Sequence, residues 1–162
     1  MVRNIALAMA AALIVPSACA TEVDMLDRDG LPCLAAETSD GTPLKLMIDT
    51  GDATSLLDAG KAKAMDLAVE PAKDKGGKVI DSYFIAHLKG LRLGQETLGD
   101  DRFLVMDMNK DIVGGTFPHS DGMIAYTDLR GKRLTLDYKR HVVGLSDAPA
   151  AAPCAAACGT IT

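Results

Sequence analysis

Between residues 31 and 145 the apolar residues come in short runs, each closed by Gly, Asp or Pro. "LPCLAAET", "PLKLMI", "VIDSYFIAHL", "LRLG", "RFLVMDM", "RLTLDY" and "HVVGL" have the length and flanking turn residues of strands. One helix is expected, from about Leu57 to Leu67. Its Ala62, Met65 and Leu67 can face inward while Lys61, Lys63 and Asp66 stay in water, and Pro71 follows its end. There is no internal repeat. The expected class is therefore mainly β, a small closed or sandwiched sheet with one or two short helices. With no Trp, three Tyr and three Phe, its core must come mainly from Leu, Ile, Val, Met and Ala.

The chain ends set the expected boundaries. "MVRNIALAMAAALIVPSACA", residues 1–20, has a basic residue, an apolar stretch and a small-residue finish at Ala18-Cys19-Ala20, the pattern of a secretory signal peptide. The mature chain is then exported, periplasmic or extracellular, and no run is long enough to span a membrane. Lipid anchoring at Cys19 is the other fate of such a segment, which Pro16 fits poorly. Removing residues 1–20 from 162 leaves 142, enough for one domain, expected over residues 21–145. Residues 146–162, with their Ala and Pro bias, are expected to form a flexible tail.

Removing Arg3 from 17 basic residues leaves 16 against 22 acidic ones, a net charge near −6 that disfavours nucleic acid as a partner. Cys33, Cys154 and Cys158 remain in a compartment that permits disulfides, with one cysteine over in any pairing within the chain.

"LMIDTGDATSLLD", residues 46–58, carries the chemistry. Leu46, Met47 and Ile48 form a buried strand, and such surroundings do not hold a lone ionised carboxylate without a partner or a purpose. Asp49 is therefore paired, protonated or functional. Gly51 allows a sharp turn, and the Thr50 hydroxyl can brace it against neighbouring backbone. Alone, the triplet is an ordinary Asp turn leaving a strand.

Its context is more specific. Apolar-apolar-Asp49-Thr50-Gly51, then Ser55-Leu56-Leu57 and a short helix, resembles the active-site loop of the retropepsin-like (retroviral-type) aspartic proteases, including their exported bacterial relatives. "SDGMIAYTDLRGKRLTLDYKRHVVGL", residues 120–145, is similar to the carboxy-terminal half of that family. Together with "GLPCLAAETSDGTPLKLMIDTG" as entry strands, the resemblance covers most of residues 25–145.

The resemblance implies a closed β-barrel and an aspartic endopeptidase without metal or cofactor. In that chemistry two carboxylates about 3 Å apart share one proton, one taking a proton from water while the other polarises the scissile carbonyl. This chain has one such loop; Ile80-Asp81-Ser82 continues with Tyr83 where the turn needs Gly. Asp49 must then meet Asp49 of a second copy in a homodimer. "KDKGGKV", residues 73–79, stands where the family has a flexible hairpin that closes over a peptide or unfolded protein substrate, with Gly76 and Gly77 giving mobility. A plain solvated loop is the alternative.

Two residues depart from the family. Asp52 follows Asp-Thr-Gly where Ala or Ser is usual, and it can move activity toward low pH, point outward, cap the following backbone, or bind a basic substrate side chain. Ala125 stands where a second Gly is usual, and its methyl can crowd the loop. These departures keep open a second reading, a catalytically impaired module that binds peptides or assembles with a partner protein.

Other patterns fall away. Asp107-Met108-Asn109-Lys110-Asp111 opens like a calcium loop but lacks the required Gly and Glu. His87, His119 and His141 have no ligand spacing. Arg130, Lys132 and Arg133 read as a solvated turn.

Overall fold

The computed structural model describes residues 21–28, 31–98, 100–111 and 120–147. The proposed signal peptide, Cys154, Cys158, His119 and nearly all of the expected tail lie outside the described residues. In chain order the strands are β1 (Thr21–Arg28), β2 (Leu31–Glu37), β3 (Pro43–Asp49), β4 (Leu56–Asp58), β5 (Val69–Lys73) and β6 (Val79–Lys89). They continue with β7 (Arg92–Leu93), β8 (Glu96–Thr97), β9 (Asp100–Met106), β10 (Gly122–Ala125), β11 (Lys132–Asp137) and β12 (Val142–Asp147). Two short helices, α1 (Ala59–Ala64) and α2 (Met108–Asp111), interrupt them. β12 runs through Ser146 to Asp147, two residues into the stretch expected as tail.

The pairing order is β11-β12-β1-β2-β3-β10-β4-β9-β6-β5, with β7 and β8 attached beside β2. All neighbouring pairs on this path are antiparallel except β3 with β10 and β4 with β9. The path ends at β11 and β5, and among the described residues no ladder joins those ends. The mainly β expectation agrees with this arrangement; barrel closure is not seen in it.

Strands at the middle of the path are covered on both faces. Leu46 and Ile48 of β3, Leu57 of β4 and Ile124 of β10 join Leu34, Phe103 and Val143 in the main core. Their neighbours Met47, Leu56 and Met123 point the other way, into a smaller cluster with Cys33, Met106 and Met108. Two-sided burial explains why "LMI" (residues 46–48) and "MIA" (residues 123–125) read as continuous apolar runs instead of alternating ones. Each face removes apolar surface from water at roughly 25 cal/mol per Å².

The expected helix is shorter than its sequence pattern. Leu56 and Leu57 pair with β9 on one side and β10 on the other, so strand pairing overrides helical spacing there. Asp58 then caps α1, its Oδ1 accepting the Gly60 and Lys61 N–H groups at 2.9 and 3.2 Å. At the other end Asp66 turns left-handed (φ 51°), and the Leu67 N–H donates to the Ala62 carbonyl at 3.1 Å. Ala62 is buried, and Met65 and Leu67 pack against the main core as the pattern predicts.

Candidate active site

β3 delivers Asp49. The strand is buried from Leu46 to Ile48, and Asp49, its last residue, is half-buried where the chain emerges. Its Oδ1 accepts the Gly51 N–H at 2.8 Å, a bond within the turn that fixes the carboxyl relative to the loop. Gly51 is not left-handed. Its value is space, because an added Cβ would stand 3.3 Å from Asp49 Oδ1. Thr50 is exposed, and among the described residues its hydroxyl has no hydrogen-bond partner. Asp49 itself therefore braces the turn, the part the sequence gives to Thr50. Asp52 is half-buried, and its Oδ1 accepts the Thr54 N–H at 3.0 Å, the backbone-capping alternative among those its position allows.

A second segment is built against this loop. β10 lies parallel to β3, with Ile124 opposite Ile48 and Ala125 opposite Asp49. Gly122 opens β10 because β4 crosses it closely: a Cβ there would lie 2.3 Å from the Leu56 carbonyl oxygen. Asp121 locks the register, its Oδ2 accepting the Lys45 N–H at 2.8 Å while its own N–H donates to the Lys45 carbonyl at 2.8 Å. The adjacent Asp121 and Gly122 thus have two separate structural jobs.

Beyond β10 the chain is stitched to the loop. The Tyr126 N–H donates to the Asp52 carbonyl at 3.3 Å, and the Thr127 hydroxyl donates to the Ala53 carbonyl at 2.9 Å. The Ala125 N–H donates to Ser55 Oγ at 2.8 Å, and the Ser55 hydroxyl donates to Asp128. Ala125, whose methyl is a departure from the family pattern, is 1% exposed and sits among buried neighbours. Asp128 was not singled out by sequence reasoning. Its only signal was a charged residue between Thr127 and Leu129 at the end of an apolar stretch.

Gly76 and Gly77 lie in the β5–β6 connection. Asp74 organises it: its Oδ1 accepts the Gly76 and Lys78 N–H groups at 2.8 and 2.9 Å, and its own N–H donates to the Lys78 carbonyl at 2.9 Å. Gly77 has φ 82°, a conformation that favours glycine. The stretch is thus a formed hairpin turn. Ile80-Asp81-Ser82 lies in exposed β6 backbone with Ser82 at φ 69°, and it forms no second Asp loop. Among the described residues no hydrogen bond or ion pair joins the hairpin to the Asp49 loop.

A cavity of about 240 Å³ opens beside the loop, lined by Thr50, Tyr126, Leu129 and Leu134 among others. Lys132, also on its wall, is no free charge of a solvated turn. Its Nζ donates to Asp147 Oδ1 at 2.8 Å and to Glu96 Oε2 at 2.7 Å, and these bonds hold the ammonium above the usual lysine range. Asp107, read as a failed calcium loop, accepts the Lys110 N–H at 3.1 Å beside α2. Among the described residues no group of three or more His, Cys, Asp or Glu could hold a metal ion, and no helix is long and apolar enough to cross a membrane.

No family model and no curated protein matches the chain. Among solved structures, the crystal structure of a retropepsin-like aspartic protease from Rickettsia conorii matches with a TM-score of 0.53 at 17% identity. The match covers 83% of this chain and 97% of that one. At that identity the likeness speaks for architecture: the chain has the retropepsin-like fold.

Proposed function

We propose that the protein is an aspartic endopeptidase whose active centre forms between two copies, each contributing Asp49. The observation that carries this reading is the placement of one half-buried carboxyl at the end of a strand covered on both faces, braced by the Gly51 N–H. The fold shared with a protease supports it. In the dimer the two Asp49 carboxyls share a proton, and the pair, not either residue, titrates. The ionised member takes a proton from the attacking water as that water adds to the scissile carbonyl. The protonated member donates its hydrogen bond to the carbonyl oxygen, and the proton gained then passes to the departing amine.

The remaining residues have supporting parts. Thr50, whose exposed hydroxyl has no partner within the described chain, is free to bond the second copy. Asp52, half-buried beside the dyad loop, accepts the Thr54 N–H and so stiffens the backbone that follows Gly51. The β5–β6 hairpin, with Gly76 and Gly77 at its tip, closes over an extended peptide substrate. No metal or cofactor takes part. In this reading residues 1–20 direct export, and the enzyme works on unfolded or extended protein in the periplasm or outside the cell, like the exported bacterial relatives it resembles.

The alternative of a peptide-binding module rests on Asp52 and Ala125. Ala125 has a buried seat and Asp52 caps Thr54, and both placements favour the catalytic reading. The deciding experiment incubates purified protein with a denatured, fluorescently labelled polypeptide across acid and neutral pH. Cleavage at acid pH that Asp49→Asn abolishes is the expected result. Equal cleavage by both proteins, or a wild type that stays monomeric while cleaving, rejects the dyad.

A further inference from the structure

Ser55 is 1% exposed, one of few polar side chains buried among the described residues. A hydroxyl has one proton and two lone pairs, and burial at this depth leaves no bulk water to satisfy them. Here the proton and one lone pair have partners. A lone pair receives the Ala125 N–H at 2.8 Å, and the proton goes to Asp128 Oδ2. The Ser55 carbonyl receives the Leu104 N–H at 2.9 Å, anchoring the residue to β9 as well.

We propose that Asp128 is the positioning residue of the Asp49 loop, holding the Ser55 hydroxyl so that the Ala125 amide stays fixed opposite Asp49; its kinetic consequence rests on the reading of Asp49 as catalytic. The argument turns on the rotor. With an acceptor on its proton side, the Ser55 hydroxyl has one favoured orientation, and its lone pair faces the Ala125 N–H. Without Asp128 the proton seeks the nearest carbonyl, and the Ala125 N–H loses a well-aimed acceptor. Ala125 stands opposite Asp49 in the β3–β10 ladder, so its displacement reaches the carboxyl through a single strand pair. The bonds from Tyr126 and Thr127 to residues 52 and 53 hold the two segments together without Asp128. The carboxylate therefore acts on alignment more than on attachment.

The test compares Asp128→Ala, Asp128→Asn and Ser55→Ala with wild type. Asp128→Ala should lower kcat at least tenfold with KM within about twofold, and Asp128→Asn, whose amide oxygen can still accept the Ser55 proton, should recover most of the loss. Independently of activity, the Ala125 amide should exchange with deuterium at least tenfold faster in Asp128→Ala and Ser55→Ala. The Leu145 amide in β12 should be unchanged. An unaltered Ala125 exchange rate overturns the proposal, as does a kcat loss that Asp128→Asn shares in full. If wild type cleaves nothing while Ala125 exchange responds as stated, the catalytic reading falls and the positioning of the loop by Asp128 is upheld. Should Asp128→Ala not fold, Ser55→Ala carries the same two readouts.

Discussion

The Asp49 loop and the β5–β6 hairpin are both turns that leave strands, yet they are held in opposite ways. The loop emerges from β3, rests on β10 and β4, and is tied to residues 125–128 by four hydrogen bonds. The hairpin's ties are its own. Among the described residues, 79–82 of β6 are laddered to β5 alone, since the β6–β9 ladder begins at Phe84, and Tyr83 packs against the smaller cluster at the hairpin's base. Val69, Val79, Ile80 and Phe84 are 39–47% exposed. A two-stranded ribbon with apolar side chains in water is marginal by itself, whereas a loop rooted in two clusters is fixed. In the proposed enzyme the first region presents Asp49 and the second closes over it.

The strongest way to break the rigid side is at Gly122. A methyl there meets the Leu56 carbonyl oxygen at 2.3 Å, and backbone on both sides must shift. Gly122→Ala should cost about 3 kcal/mol or more, the upper range for forced overpacking. It should lower the thermal midpoint and, because β10 underlies the loop, abolish cleavage even where the protein remains folded. A variant with wild-type stability would mean that β4 and β10 are not in close contact.

Asp121→Ala tests the same side more gently. It leaves the Lys45 N–H without its carboxylate and removes the ion pair with Lys61, 3.4 Å away. The pair is partly exposed and contributes little; the loss should be near 1 kcal/mol, mainly from the hydrogen bond. Denaturant titration with an unchanged slope is the check.

The sequence exposed the rigid side well and the mobile side poorly, for identifiable reasons. β3 was legible because a run of Leu46, Met47 and Ile48 ending in Asp-Thr-Gly has few other uses. β4 was hidden by the start of a helical pattern at Leu57, a residue that suits a helix and a strand equally well. Only the partners β9 and β10, distant in sequence, decide between them. β1 alternates Val23 and Met25 with Glu22 and Asp24, but its acidic content masks the strand. β5 carries Pro71, which reads as a breaker and is tolerated because β5 is an edge strand with an irregular register between Pro71 and Lys73. Asp128 was invisible for a different reason. Its importance lies in a hydrogen bond spanning 73 residues, and no local pattern encodes that.

On the mobile side, Gly77→Ala should have an effect mainly local. No atom obstructs the new methyl, but φ 82° is strained for any side chain, a cost of about 1–2 kcal/mol. Because the turn is bonded through Asp74 alone, that cost should appear as faster amide exchange across residues 73–80, with the global unfolding midpoint moving far less. Equal shifts in local and global stability would show that the hairpin unfolds together with the core, and the contrast between the two regions would fail.

The smallest stability effect belongs to the hairpin's exposed apolar side chains. Ile80→Ser and Phe84→Ser remove groups 40% and 39% exposed, and neither change leaves a cavity in the main core. Each should alter stability by less than about 0.5 kcal/mol, the range of surface substitutions away from special contacts. If the hairpin closes over peptide, those same changes should raise KM severalfold, since they remove apolar surface that a bound chain covers. Lowered stability with unaltered KM would place these side chains against the folded core, and the hairpin would be part of the scaffold. Unchanged stability with raised KM is the signature of a surface kept apolar for an occupant, and it separates the covering element from the fixed loop beneath it by one pair of measurements on each variant.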